Sequence, residues 1–156
     1  MANFKKIQKY LKSKKIPYKV VDLGDEIYTV KGVKETGVDE EDIVKTLVVR
    51  GNNQFVALAV RGIDRVDFKK VRKLFGSKSE LAKPDEVART VNVPVGAICP
   101  ICIEVPLVFD RKVMKLKHVN MGSGDLTKGL EMEFGDFLKA VGEYRIMDLV
   151  QTPTPR

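Results

Sequence analysis

Two β-rich runs separated by a short polar turn constrain the fold more than any other feature of the sequence. The runs are residues 43–49 (IVKTLVV) and 54–60 (QFVALAV), and residues 50–53 (RGNN) lie between them. β-Branched and apolar residues favour strands, while glycine and asparagine favour the positive backbone angles of tight hairpin turns. The sequence therefore predicts a β-hairpin in the middle of the chain.

The rest of the chain alternates between helical and strand patterns. Apolar residues Phe4, Ile7 and Leu11 recur at helical spacing ahead of Pro17. Further short helices are predicted at 30–36, 39–42, 67–74, 84–91 and 135–141, and further strands at 18–22, 107–110, 113–117, 130–134 and 145–150. Strands mostly follow strands, so the pattern predicts an α+β fold with a mixed sheet and helices around it.

Length and composition indicate one globular domain. The 156 residues, 44% hydrophobic and 31% charged, are enough to bury a single core, and we expect a domain over 1–150 with a loose tail over 151–156. No apolar run is long enough to cross a bilayer, and the lysine-rich N-terminus lacks the apolar stretch of a signal peptide. We therefore expect a cytoplasmic protein that does not engage a membrane.

Positive charge is concentrated in two stretches. The net charge is +7; residues 1–21 carry seven lysines and no acid, residues 22–42 are acidic, and basic residues predominate again over 43–90. Two basic stretches of this kind favour a polyanionic partner such as nucleic acid, and the alternative is a solvated helix surface. Few aromatic residues are available to stack on bases.

The Cys99–Cys102 pair has the C-x-x-C spacing of metal and redox sites. A structural zinc ion needs four nitrogen or sulfur ligands, and the chain offers these two cysteines and a single histidine, His118. A thioredoxin-like pair precedes a helix, whereas Pro94 and Pro106 flank this one and no helical pattern follows it. We expect no metal here, and small apolar loop residues are the preferred interpretation. A Ser-His-Asp arrangement would depend wholly on His118.

Lys45 is unusual because it lies inside an apolar strand. Its neighbours are Ile43, Val44 and Leu47. A cation at the edge of a buried strand must reach water, a carboxylate or a bound anion. Extension of the side chain to solvent remains the alternative.

Three segments together resemble a known family. They are VKTLVV at 44–49, VGAICP at 95–100, and GLEMEF at 129–134 after a glycine-rich turn. In this order they are similar to the YbaK-like aminoacyl-tRNA deacylases, relatives of the editing domain of bacterial prolyl-tRNA synthetases. The resemblance extends from the first helix to about residue 141. It implies a compact α+β fold with a curled mixed, mostly antiparallel sheet surrounded by helices.

The resemblance also implies a reaction and a site. The reaction is hydrolysis of the ester that joins a mischarged small amino acid, such as cysteine or alanine, to the terminal adenosine of tRNA. Lys45 matches the family's functional lysine, which would hold the terminal nucleotide, and Gly96 matches the start of the G-x-x-x-P loop, where backbone groups would approach the ester. The implied substrate-binding residues are Tyr28, Thr29, Thr46, Ala97, Ile98, Pro100, Asn120, Met121 and Gly122.

An aminoacyl ester is already reactive, so positioning, backbone hydrogen bonds and a held water molecule suffice. We accordingly expect no cofactor, and the expected partners are the acceptor end of mischarged tRNA and an aminoacyl-tRNA synthetase. Two other classes of function stay open at this point. One is a binding or regulatory module of the same fold that engages tRNA or a synthetase with weak turnover, and the other is a metal or redox protein that uses Cys99 and Cys102.

Overall fold

A computed structural model describes residues 2–24, 30–94 and 96–152 of the protein. Five α-helices appear in this part of the chain: α1 (Ala2–Ser13), α2 (Val30–Glu35), α3 (Phe68–Phe75), α4 (Pro84–Val91) and α5 (Phe134–Ala140). The capping residues follow the sequence signals. The Asp67 side chain accepts a hydrogen bond from the backbone N–H of Lys69 at the start of α3, and Gly76 ends the same helix with a φ of 67°. All five helices were predicted.

The predicted hairpin forms the centre of a five-stranded mixed sheet. Its strand order is β4-β2-β3-β5-β8, with β2 at Val44–Gly51, β3 at Gln54–Arg61, β4 at Glu80–Leu81, β5 at Leu107–Asp110 and β8 at Arg145–Met147. β2 and β3 are antiparallel, and Asn52 and Asn53 make the turn with φ values of 50° and 59°. Asparagine tolerates this left-handed conformation better than most residues, which explains the tight connection. β5 and β8 add to β3 in parallel.

The remaining strands form a separate three-stranded antiparallel sheet in the order β1-β7-β6. Its members are β1 (Lys19–Asp22), β6 (His118–Gly122) and β7 (Lys128–Glu133). A single parallel bridge between Ile43 and Asn120 connects this sheet to the start of β2. The predicted α+β architecture is confirmed. The strands form two sheets, whereas the sequence pattern predicted a single mixed sheet.

Two segments between β5 and β7 differ from the sequence prediction. Residues 113–117 were predicted as a strand, but Arg111–Lys115 form a 3-10 helix. The buried Asp110 begins it by accepting a hydrogen bond from the backbone N–H of Lys112 at 3.0 Å. No strand was predicted at residues 118–122, but they form β6 because they pair with β7 from His118 to Gly122. Pairing between distant residues has overridden the local preference.

The core lies on both faces of the five-stranded sheet. On one face, α1 and α5 pack through Ile7, Leu11 and Phe137 against Phe109 of β5, and the Phe109 and Phe137 rings meet edge to face with centroids 5.6 Å apart. On the other face, α3 packs through Val71 and Phe75 onto residues of β2 and β3. No helix in the described part of the chain is long and apolar enough to span a membrane.

Candidate functional site

A cavity of about 370 Å³ opens where the two sheets meet. β2 forms one wall, the loop that carries Gly96 forms a second, and the β6–β7 hairpin forms a third. The apolar side chains that line it are Val21, Leu23, Val33, Val38, Ile43, Val44, Leu47, Ile98, Met121 and Leu126, and the polar or glycine positions are Lys45, Thr46, Gly62, Gly96, Asn120, Gly122, Asp125, Lys128 and Gly129. The site is therefore an apolar pocket with a small number of polar groups, as small-molecule sites usually are.

Lys45 supplies the cavity with a half-buried cation. Its Nζ donates a hydrogen bond of 2.6 Å to the backbone carbonyl of Asp64, in the loop that follows β3. Burial lowers the pKa of Lys45 below the ordinary value of a lysine; the negative charge of Asp64 opposes this effect and the positive charge of Arg65 adds to it. The direct partner is a neutral oxygen, so the charge of the ammonium is left largely uncompensated at the cavity wall.

The loop that carries Gly96 is held in place by the β6–β7 hairpin. Gly96 has a φ of 95°, a conformation that glycine adopts without strain. The N–H of Gly124 donates to the carbonyl of Ala97 at 2.7 Å, and the N–H of Ala97 donates to the carbonyl of Pro94 at 3.1 Å. Within the described residues, no backbone hydrogen bond engages the N–H of Gly96 or of Ile98. The loop is thus fixed by the hairpin, and two of its described residues with unpaired backbone N–H groups, Gly96 and Ile98, line the cavity.

Gly122 allows this close approach of hairpin and loop. A Cβ atom at this position would lie 2.6 Å from the carbonyl oxygen of Ile98 and 2.9 Å from the carbonyl carbon of Ala97. Both distances are shorter than any van der Waals contact, and both neighbours are backbone atoms that cannot rotate away. The absence of a side chain at Gly122 therefore sets the distance between β6 and the loop.

Two buried polar side chains line the cavity on β2 and β6. Thr46 is 7% exposed, and its Oγ1 has no hydrogen-bond partner among the described residues. Asn120 is 9% exposed and is placed beside β2 by its bridge with Ile43. An unpartnered hydroxyl in a folded protein is costly, and because this oxygen is almost inaccessible, contact with a bound molecule requires the cavity wall to open at Thr46.

The cavity brings together seven of the residues that the sequence analysis assigned to the site. They are Lys45, Thr46, Gly96, Ile98, Asn120, Met121 and Gly122. Ala97 and Pro100 are buried and do not line the cavity; their place is in the body of the loop. Tyr28 and Thr29 lie outside the described residues.

Sequence reasoning missed most of the apolar wall. Val21 lies in β1 and Leu23 just after it. Val33 lies in α2 and Val38 shortly after that helix, and Leu126 lies in the turn between β6 and β7. These residues come from separate segments with no shared spacing, and each resembles an ordinary core residue. Asp125 and Lys128 could have been predicted, because both lie beside the glycine-rich turn on which the resemblance partly rests.

The two cysteines belong to the same loop but lie behind the cavity wall. Both are free thiols; Cys99 is buried, and burial raises its pKa to about 12. Cys102 is half-buried, and burial also raises its pKa. Both thiols are therefore protonated at neutral pH, which does not suit a nucleophile. Among the described residues, no group of three or more histidine, cysteine or acidic side chains is arranged to hold a metal ion.

Comparison with known proteins identifies the fold and the family of this site. The sequence profile of the aminoacyl-tRNA editing domain matches residues 25–140. The chain belongs to the aminoacyl-tRNA editing domain family. The match covers β2, the Gly96 loop and the β6–β7 hairpin, so every wall of the cavity except that from β1 lies within the editing domain.

Among the curated relatives are two proline–tRNA ligases. That of Caldicellulosiruptor saccharolyticus is 31% identical over an alignment of 105 residues that covers 63% of this chain and 18% of the ligase. That of Pseudothermotoga lettingae is 36% identical over 87 residues, 54% of this chain and 15% of the ligase. The chain thus spans less than a quarter of the length of these relatives.

Two solved structures have the same fold over nearly the whole chain. A hypothetical protein is 27% identical with a TM-score of 0.82, and the superposition covers 94% of this chain and 99% of the other. A candidate trans-editing enzyme for prolyl tRNA synthetase is 23% identical with a TM-score of 0.82, covering 97% and 99%. The editing-domain fold is therefore shared with proteins of about the same length.

Proposed function

We propose that this editing domain acts as a trans-editing hydrolase that removes a mischarged small amino acid, such as alanine or cysteine, from the 3′ end of tRNA. The observation that carries the proposal is the cavity itself, which is lined both by an undercompensated cation and by a loop whose Gly96 and Ile98 N–H groups have no backbone partner among the described residues. Such a site can bind and polarise an ester without a nucleophilic side chain.

The proposed chemistry follows from the positions of these groups. A water molecule adds to the ester carbonyl carbon, the bond from that carbon to the ribose oxygen breaks, and the ribose hydroxyl leaves with a proton. Free N–H groups of the Gly96 loop would stabilise the oxyanion that develops on the carbonyl. The Lys45 ammonium would hold the phosphate or backbone oxygens of the terminal nucleotide, so that the ester is directed at the loop.

The apolar wall supports a small amino acid as the group that is removed. The cavity must hold the aminoacyl group and part of the terminal adenosine within about 370 Å³. Val33, Leu47 and Met121 are among the apolar side chains that line this space. Pocket shape of this kind discriminates by roughly 1–3 kcal/mol for each methylene group.

We further propose tRNA and an aminoacyl-tRNA synthetase as partners, and the cytoplasm as the place of action, because the curated relatives are proline–tRNA ligases. A panel of mischarged tRNAs tests the proposal, with and without the matching synthetase. We expect faster ester hydrolysis for tRNA that carries alanine or cysteine than for correctly charged tRNA. Tight tRNA binding with no hydrolysis of any ester would instead support the binding or regulatory module.

We also propose that the basic face of α1 contributes to tRNA binding. α1 contributes Ile7 to the core cluster that also contains the loop residue Cys99. Its lysines at positions 5, 6, 9 and 12 are exposed, and one of them, Lys6, contacts an acid, Glu104, at 3.2 Å. This helix therefore carries exposed positive charge, although none of its described residues lines the cavity.

Neutralising this face is expected to weaken tRNA binding in a salt-dependent way. Replacing Lys5, Lys9 and Lys12 with glutamine should lower affinity at low salt and reduce the slope of log affinity against log salt by about two to three, one step for each lost phosphate contact. Hydrolysis of a short acylated substrate should persist. The matched triple replacement with arginine keeps the charge and should preserve both affinity and slope. An affinity that does not respond to salt would contradict the electrostatic role of α1.

The buried hydroxyl of Thr46 is expected to contribute to the reaction and not to stability. Thr46→Val keeps the shape of the side chain and removes an unpartnered polar atom, so the protein should be as stable or more stable by up to about 1 kcal/mol. Deacylation should fall about fivefold, because a hydrogen bond to the substrate is lost. Thr46→Ser retains the hydroxyl and should keep most of the rate. Equal rates for Thr46→Val and the unmodified protein would show that the hydroxyl does not contact the substrate.

The cysteines are expected to be dispensable for hydrolysis. Cys99→Ala combined with Cys102→Ser avoids placing a hydroxyl in the buried position and should leave deacylation within about threefold of the unmodified rate, since protonated thiols are poor nucleophiles. Treatment with a chelator should have no effect. Stoichiometric zinc in the purified protein, or complete loss of activity in the double variant, would favour the metal or redox class.

A further inference from the structure

An ion pair beside Lys45 has no role in the proposed chemistry. Asp64 follows the tight turn after β3 and has a side chain that is only 8% exposed. Its carboxylate accepts two hydrogen bonds from Arg61, from Nε at 2.7 Å and from Nη2 at 3.1 Å. The backbone carbonyl of the same residue accepts the hydrogen bond from Lys45. One residue thus offers its neutral oxygen to Lys45 and its charged oxygens to Arg61.

The backbone of this turn is fixed independently of the ion pair. The N–H of Gly62 donates to the carbonyl of Ile43 at 2.7 Å, and the N–H of Asp64 donates to the carbonyl of Arg61 at 3.0 Å. These bonds hold the Asp64 carbonyl beside Lys45. The direction of the Asp64 carboxylate, in contrast, is set by Arg61, because a buried carboxylate seeks the cation that satisfies it best and a guanidinium engages it with two bonds.

If Arg61 did not hold the carboxylate, Lys45 would be the nearest alternative already in contact with Asp64. An ion pair between the two would compensate the ammonium and remove its attraction for a substrate anion. We propose that the Arg61–Asp64 ion pair is a positioning device that keeps the Asp64 carboxylate away from Lys45 and so leaves the ammonium free for the substrate. This inference depends on the proposed function for its biological meaning, but the structural device can be tested without it.

Other charged groups around Lys45 do not replace this device. Arg65 is exposed and has the same sign as Lys45. Across the cavity, the Asp125 carboxylate accepts hydrogen bonds from the hydroxyl of Thr127 at 2.7 Å and from its N–H at 2.8 Å. Lys128, the remaining charged group in the lining, is also a cation. Asp110 and Glu41 influence Arg61, and both favour its charged form.

Kinetics of three variants test the device. Arg61→Gln should raise the KM for mischarged tRNA about tenfold with a smaller change in kcat, because a charged contact to the substrate is lost. Adding Asp64→Asn to this variant removes the competing carboxylate and should return KM to within about threefold of the unmodified value. Arg61→Lys keeps a cation beside Asp64 and should retain most of the affinity.

The matched control breaks a comparable ion pair elsewhere. Lys70 on α3 contacts Asp148 at 3.0 Å, and Lys70→Gln should leave KM unchanged. Thermal unfolding of every variant verifies that it is folded. If the double variant is as impaired as Arg61→Gln alone, the pair has a structural role only and the inference is overturned.

A second measurement separates this inference from the proposed function. The pKa of Lys45, followed by isotope-edited NMR in the absence of RNA and assigned with Lys45→Arg, should be higher in Arg61→Gln than in the unmodified protein, because the released carboxylate favours the charged lysine. The double variant should reverse this rise. An unchanged pKa in Arg61→Gln would overturn the inference. A protein that hydrolyses no aminoacyl ester but shows the rise would refute the proposed function and leave the positioning device intact.

Discussion

Lys45→Ala is expected to give a folded protein that deacylates its best substrate at least about tenfold more slowly. The ammonium has a neutral carbonyl as its direct partner, 2.6 Å away on Asp64, so its charge is available to a bound anion. Loss of a charged hydrogen bond to the substrate corresponds to about 1.5–3 kcal/mol. Lys45→Arg should restore part of the rate, because a planar guanidinium does not reproduce the compact ammonium. Single-turnover deacylation measures the effect.

The stability of Lys45→Ala should be close to normal, since the substitution removes one hydrogen bond and also relieves the burial of a charge. The folded pKa of Lys45 is lowered from 10.5, so the folded state disfavours its protonated form. Between the folded pKa and 10.5, the unfolded state therefore binds more protons than the folded state does. The free energy of unfolding of the unmodified protein should therefore rise relative to Lys45→Ala in that window. A control, Lys70→Ala, removes a lysine that is bound to Asp148 and should leave deacylation unchanged.

Gly122→Ala is expected to damage both the site and the fold. The added Cβ would lie 2.6 Å from the carbonyl oxygen of Ile98, so the Gly96 loop must move away from β6. Overpacking of this kind costs about 1–3 kcal/mol. A shift of the loop by a few tenths of an ångström or more displaces the backbone N–H groups from the ester, and deacylation should fall by about tenfold or more.

The matched control for this substitution is Gly135→Ala in the first turn of α5. A Cβ at Gly135 would meet no atom within 4 Å, so alanine should be tolerated and should even favour the helix. Unfolding midpoints and deacylation rates of the two variants should therefore diverge. A Gly122→Ala protein with the rate and stability of the unmodified chain would show that the contact between β6 and the loop does not shape the site.

Local signals in the sequence were sufficient for the elements near the hairpin. Asn52 and Asn53 both adopt positive φ, as a tight turn between two β-rich runs requires, and Asp67 and Gly76 delimit α3 as their residue types predict. The anomaly of Lys45 was also local, because one charge in an apolar strand needs a partner whatever the rest of the fold. The family resemblance then placed Gly96 and Gly122 in the same site.

Long-range pairing could not be predicted in the same way. β6 carries a sequence that favours a loop and becomes a strand only because β7 and Ile43 pair with it. The segment after Asp110 has alternating apolar residues, yet the buried Asp110 carboxylate accepts bonds from the N–H groups of both Lys112 and Leu149 and turns the chain into a 3-10 helix. The Asp110–Leu149 bond joins residues 39 positions apart, and the bridge between Ile43 and Asn120 joins residues still farther apart along the chain, so no local pattern specifies these contacts.

The Arg61–Asp64 pair shows the same limit within the site. From sequence alone, the two residues are an ordinary i, i+3 pair at the end of a strand. Their role depends on the direction in which the turn presents the carbonyl of Asp64. That direction is set in part by the backbone bond from Gly62 to Ile43, the residue just before β2. The chemistry of a site is thus only partly encoded in its residue types, because orientation is decided by the packing around them.

The most direct test of the central claim is ester hydrolysis on a prolyl tRNA charged in turn with alanine, cysteine and proline, measured with protein in excess over tRNA. The account predicts rapid release of alanine or cysteine by the unmodified protein, much slower release of proline, and a loss of at least about tenfold in Lys45→Ala for the preferred ester. Release of all three amino acids at the uncatalysed rate, whether or not a synthetase is added, would contradict it.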